Sequence, residues 1–273
     1  MHPVLFTIGS GPHAFALHTY GVLLMVAFLA GTARACYRAK KVPDLVRPIT
    51  PDMVTDAAIW IVLSAIVGAR LLFVLFDWSD YKLNPGTVLA VWQGGMSFHG
   101  GLLGGIIAGV TYCRIKQIRI PIMADLLAPS VMLGYAIGRI GCFFNGCCYG
   151  SPTNLPWACR FNDNGIITPP SHPTQLYSSL LSFLFFGLLV RFEAGKDGFP
   201  GRVACWYLIF AAVERFVMEI WRAGVTSSGG FLGLTEVQWL CCGMMALGVA
   251  GLFGLRSMSR NLGTRGSEAK AAG

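Results

Sequence analysis

Charge is what this sequence has least of. Only 12% of its 273 residues are Asp, Glu, Lys or Arg, about half the fraction usual for a soluble domain. Acidic residues are the scarcer kind, 13 against 21 basic, which leaves a formal charge of +8. A net positive charge invites a nucleic-acid reading. The basic residues sit in short loops between apolar runs, however, and no patch forms to track a phosphate backbone. Met1–Leu17 contains neither Lys nor Arg, so the basic start of a cleavable signal peptide is missing. Pro3, Gly9, Gly11 and Pro12 make this stretch read as an interfacial or re-entrant lead-in. No internal repeat and no soluble domain is visible.

Apolar residues fill the space that charge leaves. They make up 54% of the chain and fall in runs long enough to cross a hydrocarbon core of about 30 Å. Thirty-four glycines suit close helix packing in lipid. Spans are predicted near 20–36, 56–77, 99–115, 122–143, 174–190, 203–221 and 235–255. The expected fold is therefore all-α, a polytopic membrane protein of about seven helices. It has one transmembrane domain over 1–255 and a short, polar, unstructured tail over 256–273. Pro85 to Met96 reads as a shallow hairpin before the third span.

Loop charge gives the orientation, because short loops rich in Lys and Arg stay in the cytoplasm. Arg34, Arg38, Lys40, Lys41 and Arg47 follow the first span, Arg114, Lys116 and Arg119 the third, and Arg191, Lys196 and Arg202 the fifth. Arg256, Arg260, Arg265 and Lys270 occupy the tail, while the alternate loops hold only Lys82, Arg160 and Arg222. The predicted N-terminus is outside and the C-terminus inside.

Orientation turns position into depth. Tyr20, Arg70, His99, Arg139, Asn145, His172, Gln175, Tyr177, Arg215, Glu219 and Arg222 all fall in the outer half of their spans or at its edge. Snorkelling alone would decorate both ends. A polar cavity toward the outer leaflet follows. Charges at that depth cost about 2.5 kcal/mol or more, so each needs a partner or a task. Arginine forks suit phosphate, which points to a phospholipid headgroup. Arg215, Glu219 and Arg222 stand at i, i+4 and i+7 on one helix face; a plain ion-pair stripe would read the same way. His99, within Ser97-Phe98-His99-Gly100-Gly101, is a candidate general base or a hydrogen-bonded interfacial histidine. Gly138 through Gly150 forms a glycine-rich exit from the fourth span, tolerated at membrane depth only inside protein or beside a cavity.

Of nine cysteines, Cys36, Cys113, Cys205, Cys241 and Cys242 read as small packing residues. Cys142, Cys147, Cys148 and Cys159 lie at the outer end of the fourth span or just beyond it. A disulfide from Cys159 to Cys147 or Cys148 is open there. Their spacing matches no usual zinc pattern.

Tyr20-Gly21, His99-Gly100-Gly101, the segment from Gly138 to Gly150, His172-Pro173-Thr174-Gln175-Leu176-Tyr177, and Arg215-Phe216 with Glu219 and Arg222 together resemble the bacterial prolipoprotein diacylglyceryl transferases. The resemblance runs through most of the chain. It implies an inner-membrane enzyme, with its active site toward the periplasm, that moves an sn-1,2-diacylglyceryl group from phosphatidylglycerol to the lipobox cysteine of a preprolipoprotein and releases glycerol 1-phosphate. It implies no metal and no organic cofactor. By position, Arg139 and Arg215 would bind the lipid phosphate and His99 would serve the site as a possible base. Tyr20, Asn145, Gly150, Glu219 and Arg222 fall on motif positions, and Gln175 is placed to donate to substrate oxygen. The chain departs from the common family pattern at Cys142, Cys147 and Ala211, where the family commonly has Asn, Glu and Tyr. Those departures keep a non-catalytic lipid-binding relative open as a rival. A phospholipid transporter is the other rival, opposed by the missing repeat and by polar residues that do not continue to the cytoplasmic side.

Overall fold

The structure is a computed structural model that describes residues 4–8, 15–41, 48–82, 85–90, 94–163, 165–195, 198–222 and 231–271. Seven described helices have eighteen residues or more: α1 (Thr19–Ala39), α2 (Pro51–Phe76), α4 (Phe98–Ile115), α5 (Ile120–Asn145), α6 (Thr174–Ala194), α7 (Arg202–Arg222) and α8 (Glu236–Ala271). A four-residue helix, α3 (Trp78–Tyr81), follows α2. Each predicted span coincides with one long helix. Five of them, α1, α2, α5, α6 and the Glu236–Ser259 part of α8, are long and apolar enough to cross a membrane. A 21-residue helix is about 31 Å long, matching the hydrocarbon thickness. Leu63, Val67, Leu71 and Leu75 on α2, and Ile106 and Ile107 on α4, are exposed on the isolated chain, as lipid-facing residues must be.

Two expectations change. The stretch read as an irregular lead-in contains a β-hairpin, β1 (Val4–Ile8) against antiparallel β2 (Phe15–His18), with Val4 opposite His18 and Thr7 opposite Ala16. Its β-branched and aromatic residues favour extended backbone. The tail read as unstructured continues α8 as helix to Ala271. Ala, Glu, Lys and Arg in that stretch are good helix formers. A second small hairpin pairs β3 (Asn162–Asp163) with β4 (Ile166–Ile167). Pro3, Gly9, Gly11, Pro12, Arg47 and Lys196, used above, lie outside the described residues.

The chain divides into two compact units. One holds residues 34–123, the other 1–33 with 124–273. In the first, α2 starts at an N-cap: Thr50 Oγ1 accepts from Met53 N at 3.3 Å, and Pro51 takes the first turn, where no N–H is needed. α2 and α4 then meet backbone to backbone. A Cβ on Gly100 would lie 2.2 Å from Gly68 O, and one on Gly104 would lie 2.3 Å from Ser64 O. The Gly100-xxx-Gly104 ridge thus seats against Ser64-xxx-Gly68, the small-residue contact that lipid favours.

Arg70 sits in the same unit and is 5% exposed. Its Nε donates to Val88 O at 2.8 Å, Nη2 to Thr87 O at 2.7 Å, and Nη1 to Gly94 O and Gly95 O at 2.7 and 2.9 Å. Tyr81 lies under the guanidinium at 5.1 Å. The segment read as a shallow hairpin is a 3₁₀ turn over Pro85–Leu89 with its carbonyls gathered on this arginine. Irregular backbone has to satisfy its polar groups somewhere, and here one buried cation does it.

In the second unit, α7 starts without a cap of its own. Asp125 of α5 accepts from Gly201 N at 2.7 Å and Ala204 N at 2.8 Å, supplying the carboxylate that a helix N-terminus favours. α8 begins with a capping box, in which Thr235 N donates to Gln238 Oε1 at 3.0 Å and Gln238 N to Thr235 Oγ1 at 3.2 Å. Below the site, Phe185, Leu189, Met132, Ala128 and Val203 form the buried core, and Ala211, Tyr207 and Phe210 pack against it.

Candidate active site

The site is built where α5 ends. Gly146 N donates to Phe143 O at 3.2 Å and Cys147 N to Cys142 O at 3.3 Å, with Gly146 at φ +79°. This is a Schellman ending, and it turns the chain back on the last helical turn. Cys148 follows at φ +63°, a left-handed conformation that costs a residue with a Cβ about 1 kcal/mol or more. Asn145 is the last residue of α5 and is exposed; its side chain bonds Cys147.

The start of α6 fixes the turn. Gln175 is wholly buried and donates Nε2 to Cys147 O at 2.7 Å; Thr174 Oγ1 donates to Cys148 O at 2.9 Å. Gly150 N donates to His172 O at 2.9 Å, and Ser151 N to Trp221 O at 2.7 Å. A Cβ on Gly150 would lie 2.7 Å from both Trp221 O and Thr174 Cγ2, so this position needs glycine for close approach. His172, Tyr177 and Trp221 meet edge to face or tilted around the junction, and Trp157 Nε1 donates to Tyr177 Oη at 2.6 Å. The end of α5, the start of α6 and the end of α7 therefore converge. The start of α1 joins them, because a Cβ on Gly141 would touch Tyr20 Cδ2 at 3.3 Å.

Arg139 stands one turn and a half before the end of α5. Its Nε donates to Tyr135 Oη at 2.9 Å, with the cation 5.0 Å from the Tyr135 ring centre. Tyr135 Oη in turn donates to Glu214 Oε2 at 3.1 Å, and Ser178 Oγ makes a short bond to Glu214 Oε1. Glu214 is 2% exposed. One proton-rich chain, Arg139–Tyr135–Glu214–Ser178, thus joins α5, α7 and α6. Among the described residues, the Arg139 Nη atoms make no hydrogen bond or ion pair. Tyr20, Cys142 and Cys148 lie within its electrostatic reach, and Tyr207 within that of Tyr135 and Glu214.

The other predicted residues are placed as follows. Arg215 Nη1 pairs with the wholly buried Glu219 at 2.7 Å, and its charge reaches Cys241 of α8. Arg222 ends α7 and acts on Cys148 together with Arg139. His99 belongs to the other unit, where it opens α4 with its ring 5.8 Å from Phe98. All nine cysteines are free. Cys159 takes no disulfide; its Sγ donates to Trp157 O at 3.5 Å. Cys148, beyond the end of α5, has a thiol well below the ordinary cysteine range. Its interactions with the Cys142 and Cys147 thiols lower it most, and the Arg222 and Arg139 charges assist against burial.

The family model for prolipoprotein diacylglyceryl transferase matches residues 3–254. The chain belongs to the prolipoprotein diacylglyceryl transferase family. Relatives named phosphatidylglycerol–prolipoprotein diacylglyceryl transferase include one from Nostoc sp., 36% identical, with 95% of this chain and 91% of the relative covered. One from Gloeobacter violaceus is 36% identical over 94% of both chains. One from Polynucleobacter asymbioticus is 38% identical over 86% of this chain and 90% of the relative.

For this family member, the sequence reading missed Tyr135, Ser178 and Glu214. Tyr135 lies at i−4 from Arg139, a spacing that brings helical side chains together. Ser178 lies at i+4 from Thr174. Glu214 was overlooked beside Arg215, although adjacent helical residues face different ways.

Proposed function

We propose that the chain transfers an sn-1,2-diacylglyceryl group from phosphatidylglycerol to the lipobox cysteine thiol of a preprolipoprotein at the outer face of the bacterial inner membrane. The observation that carries this reading is Arg139, a cation held by Tyr135 through Nε, with no hydrogen bond on its Nη atoms among the described residues, near the convergence of four helix ends. A guanidinium edge of that kind matches two phosphate oxygens.

The client's cysteine thiolate attacks the sn-3 carbon of the diacylglyceryl group. A carbon–sulfur bond forms as the carbon–oxygen bond to phosphate breaks, and glycerol 1-phosphate leaves with both bonding electrons. Arg139 neutralises the charge that grows on the departing phosphate. Arg222 adds to the field, and Arg215 offers the part of its fork not engaged by Glu219. Glu214 and Tyr135 keep the Arg139 guanidinium oriented. By the family resemblance His99 is the proposed acceptor of the thiol proton, which ends on the released phosphate. Tyr20, beside Gly141, and the exposed Asn145 are proposed to contact the substrate. Gln175 and Gly150 shape the turn that follows α5.

Phosphatidylglycerol labelled in its terminal glycerol, presented in membranes with a lipobox peptide, tests the reading. Labelled glycerol phosphate released only when the peptide carries its cysteine supports transfer. Lipid movement between leaflets without release supports the transport rival, and lipid binding with neither supports the non-catalytic one.

A further inference from the structure

Cys142, Cys147 and Cys148 bring their Sγ atoms within 4.8 Å of one another. They are only partly buried. Diacylglyceryl transfer, as derived above, uses none of them. Sequence spacing hid this cluster, since positions i, i+5 and i+6 share no helix face; the Schellman turn closes it. The cluster is also held from outside: Gln175 and Thr174 bind the carbonyls of Cys147 and Cys148 at 2.7 and 2.9 Å. Cys148 keeps its left-handed backbone at φ +63°, which aims a side chain that a relaxed conformation would turn elsewhere.

We propose that these three thiols form a binding site for one soft monovalent d¹⁰ cation, of the copper(I) class. Three arguments select the ion. Thiolate sulfur prefers soft metals. Three sulfurs around a metal at about 2.3 Å stand about 4 Å apart in a trigonal plane, which is an inward movement of less than 1 Å from the widest separation here. Among the described residues no His, Asp, Glu or further Cys completes a fourth position, which suits a trigonal ion and leaves zinc short of its tetrahedron. Charge agrees. Three thiolates and one monovalent cation sum to −2, and the two arginines acting on this cluster, Arg139 and Arg222, balance it. Loading releases the thiol protons and places the complex's negative charge beside Arg139, so it also weakens phosphate binding there. The site stands whether or not the transfer reading holds.

The test uses the reduced, full-length chain in detergent, titrated with copper(I) buffered by a coloured chelator. The expected result is one equivalent withheld from the chelator, with a new sulfur-to-copper ultraviolet band. Cys142→Ser and Cys148→Ser should each weaken retention at least 100-fold, while Cys241→Ser, away from the cluster, should keep it. Thermal unfolding of each variant confirms that the serine chains fold. Failure of the parent chain to withhold copper overturns the proposal. So does equal retention by a folded triple Cys142→Ser, Cys147→Ser, Cys148→Ser chain, which would place the metal on other cysteines.

Discussion

In the proposed mechanism Arg139 is the residue on which the chemistry turns, and its neighbours define what it requires. Lysine keeps the charge but cannot hold Tyr135 through Nε while presenting a planar fork to phosphate. Arg139→Lys should therefore lower turnover about 100-fold, read as kcat/KM for peptide modification. Tyr135→Phe removes two bonds to charged groups, the one accepted from Arg139 and the one donated to Glu214; loss of the first, worth about 1.5 kcal/mol, should cost about tenfold in the same assay. A Tyr135→Phe chain with unchanged kcat/KM would remove Tyr135 from the positioning of Arg139. At this scale the sequence was half legible. Arg139, Glu219 and Arg222 stand out because charge at bilayer depth is costly. Glu214 did not, because a carboxylate next to Arg215 reads as its local partner. Only the packing of α5 and α6 against α7 shows that Tyr135 and Ser178 bind it instead.

Helices were the most legible elements, because lipid demands continuous apolar runs that finish their own hydrogen bonds. What fastens them was not legible. Arg70 reads as a candidate ligand group by depth, yet four backbone carbonyls take its donors, and carbonyl partners leave no trace in residue types. Arg70→Met should release the turn, seen as amide exchange at least tenfold faster over Thr87–Ala90 than in the parent chain. Unchanged exchange there would show that the turn holds itself. The α2–α4 contact gives a second prediction. Gly100→Val places side-chain carbon against Gly68 O, where even a Cβ stands at 2.2 Å. The helices must separate, and the thermal midpoint in detergent should fall by several degrees, about 4 °C or more for a loss of a few kcal/mol. Gly86→Ala, with nothing within 4 Å, is the control that should not move it. The hairpin β1–β2 was missed because glycine and proline around it drew the eye to irregularity ahead of the β-branched run between them.

At the scale of the whole molecule, loop charge proposes which membrane face each helix end meets, and the site gathers four such ends within one unit. α1 and α6 begin there, while α5 and α7 finish there. With an outside N-terminus, a lone cysteine introduced as Asn154→Cys in a cysteine-free background should react with an impermeant maleimide added to intact spheroplasts. One introduced as Lys116→Cys should react only after lysis. The reverse pattern would invert the topology and move the site to the cytoplasmic face.

The most direct test of the account is the mass of a lipobox peptide after incubation with the purified chain in phosphatidylglycerol membranes, run beside the Arg139→Ala variant. The expected result is a gain of one diacylglyceryl group on the cysteine from the parent chain and none from the folded variant. An unmodified peptide from the folded parent chain, or equal modification by both proteins, would contradict it.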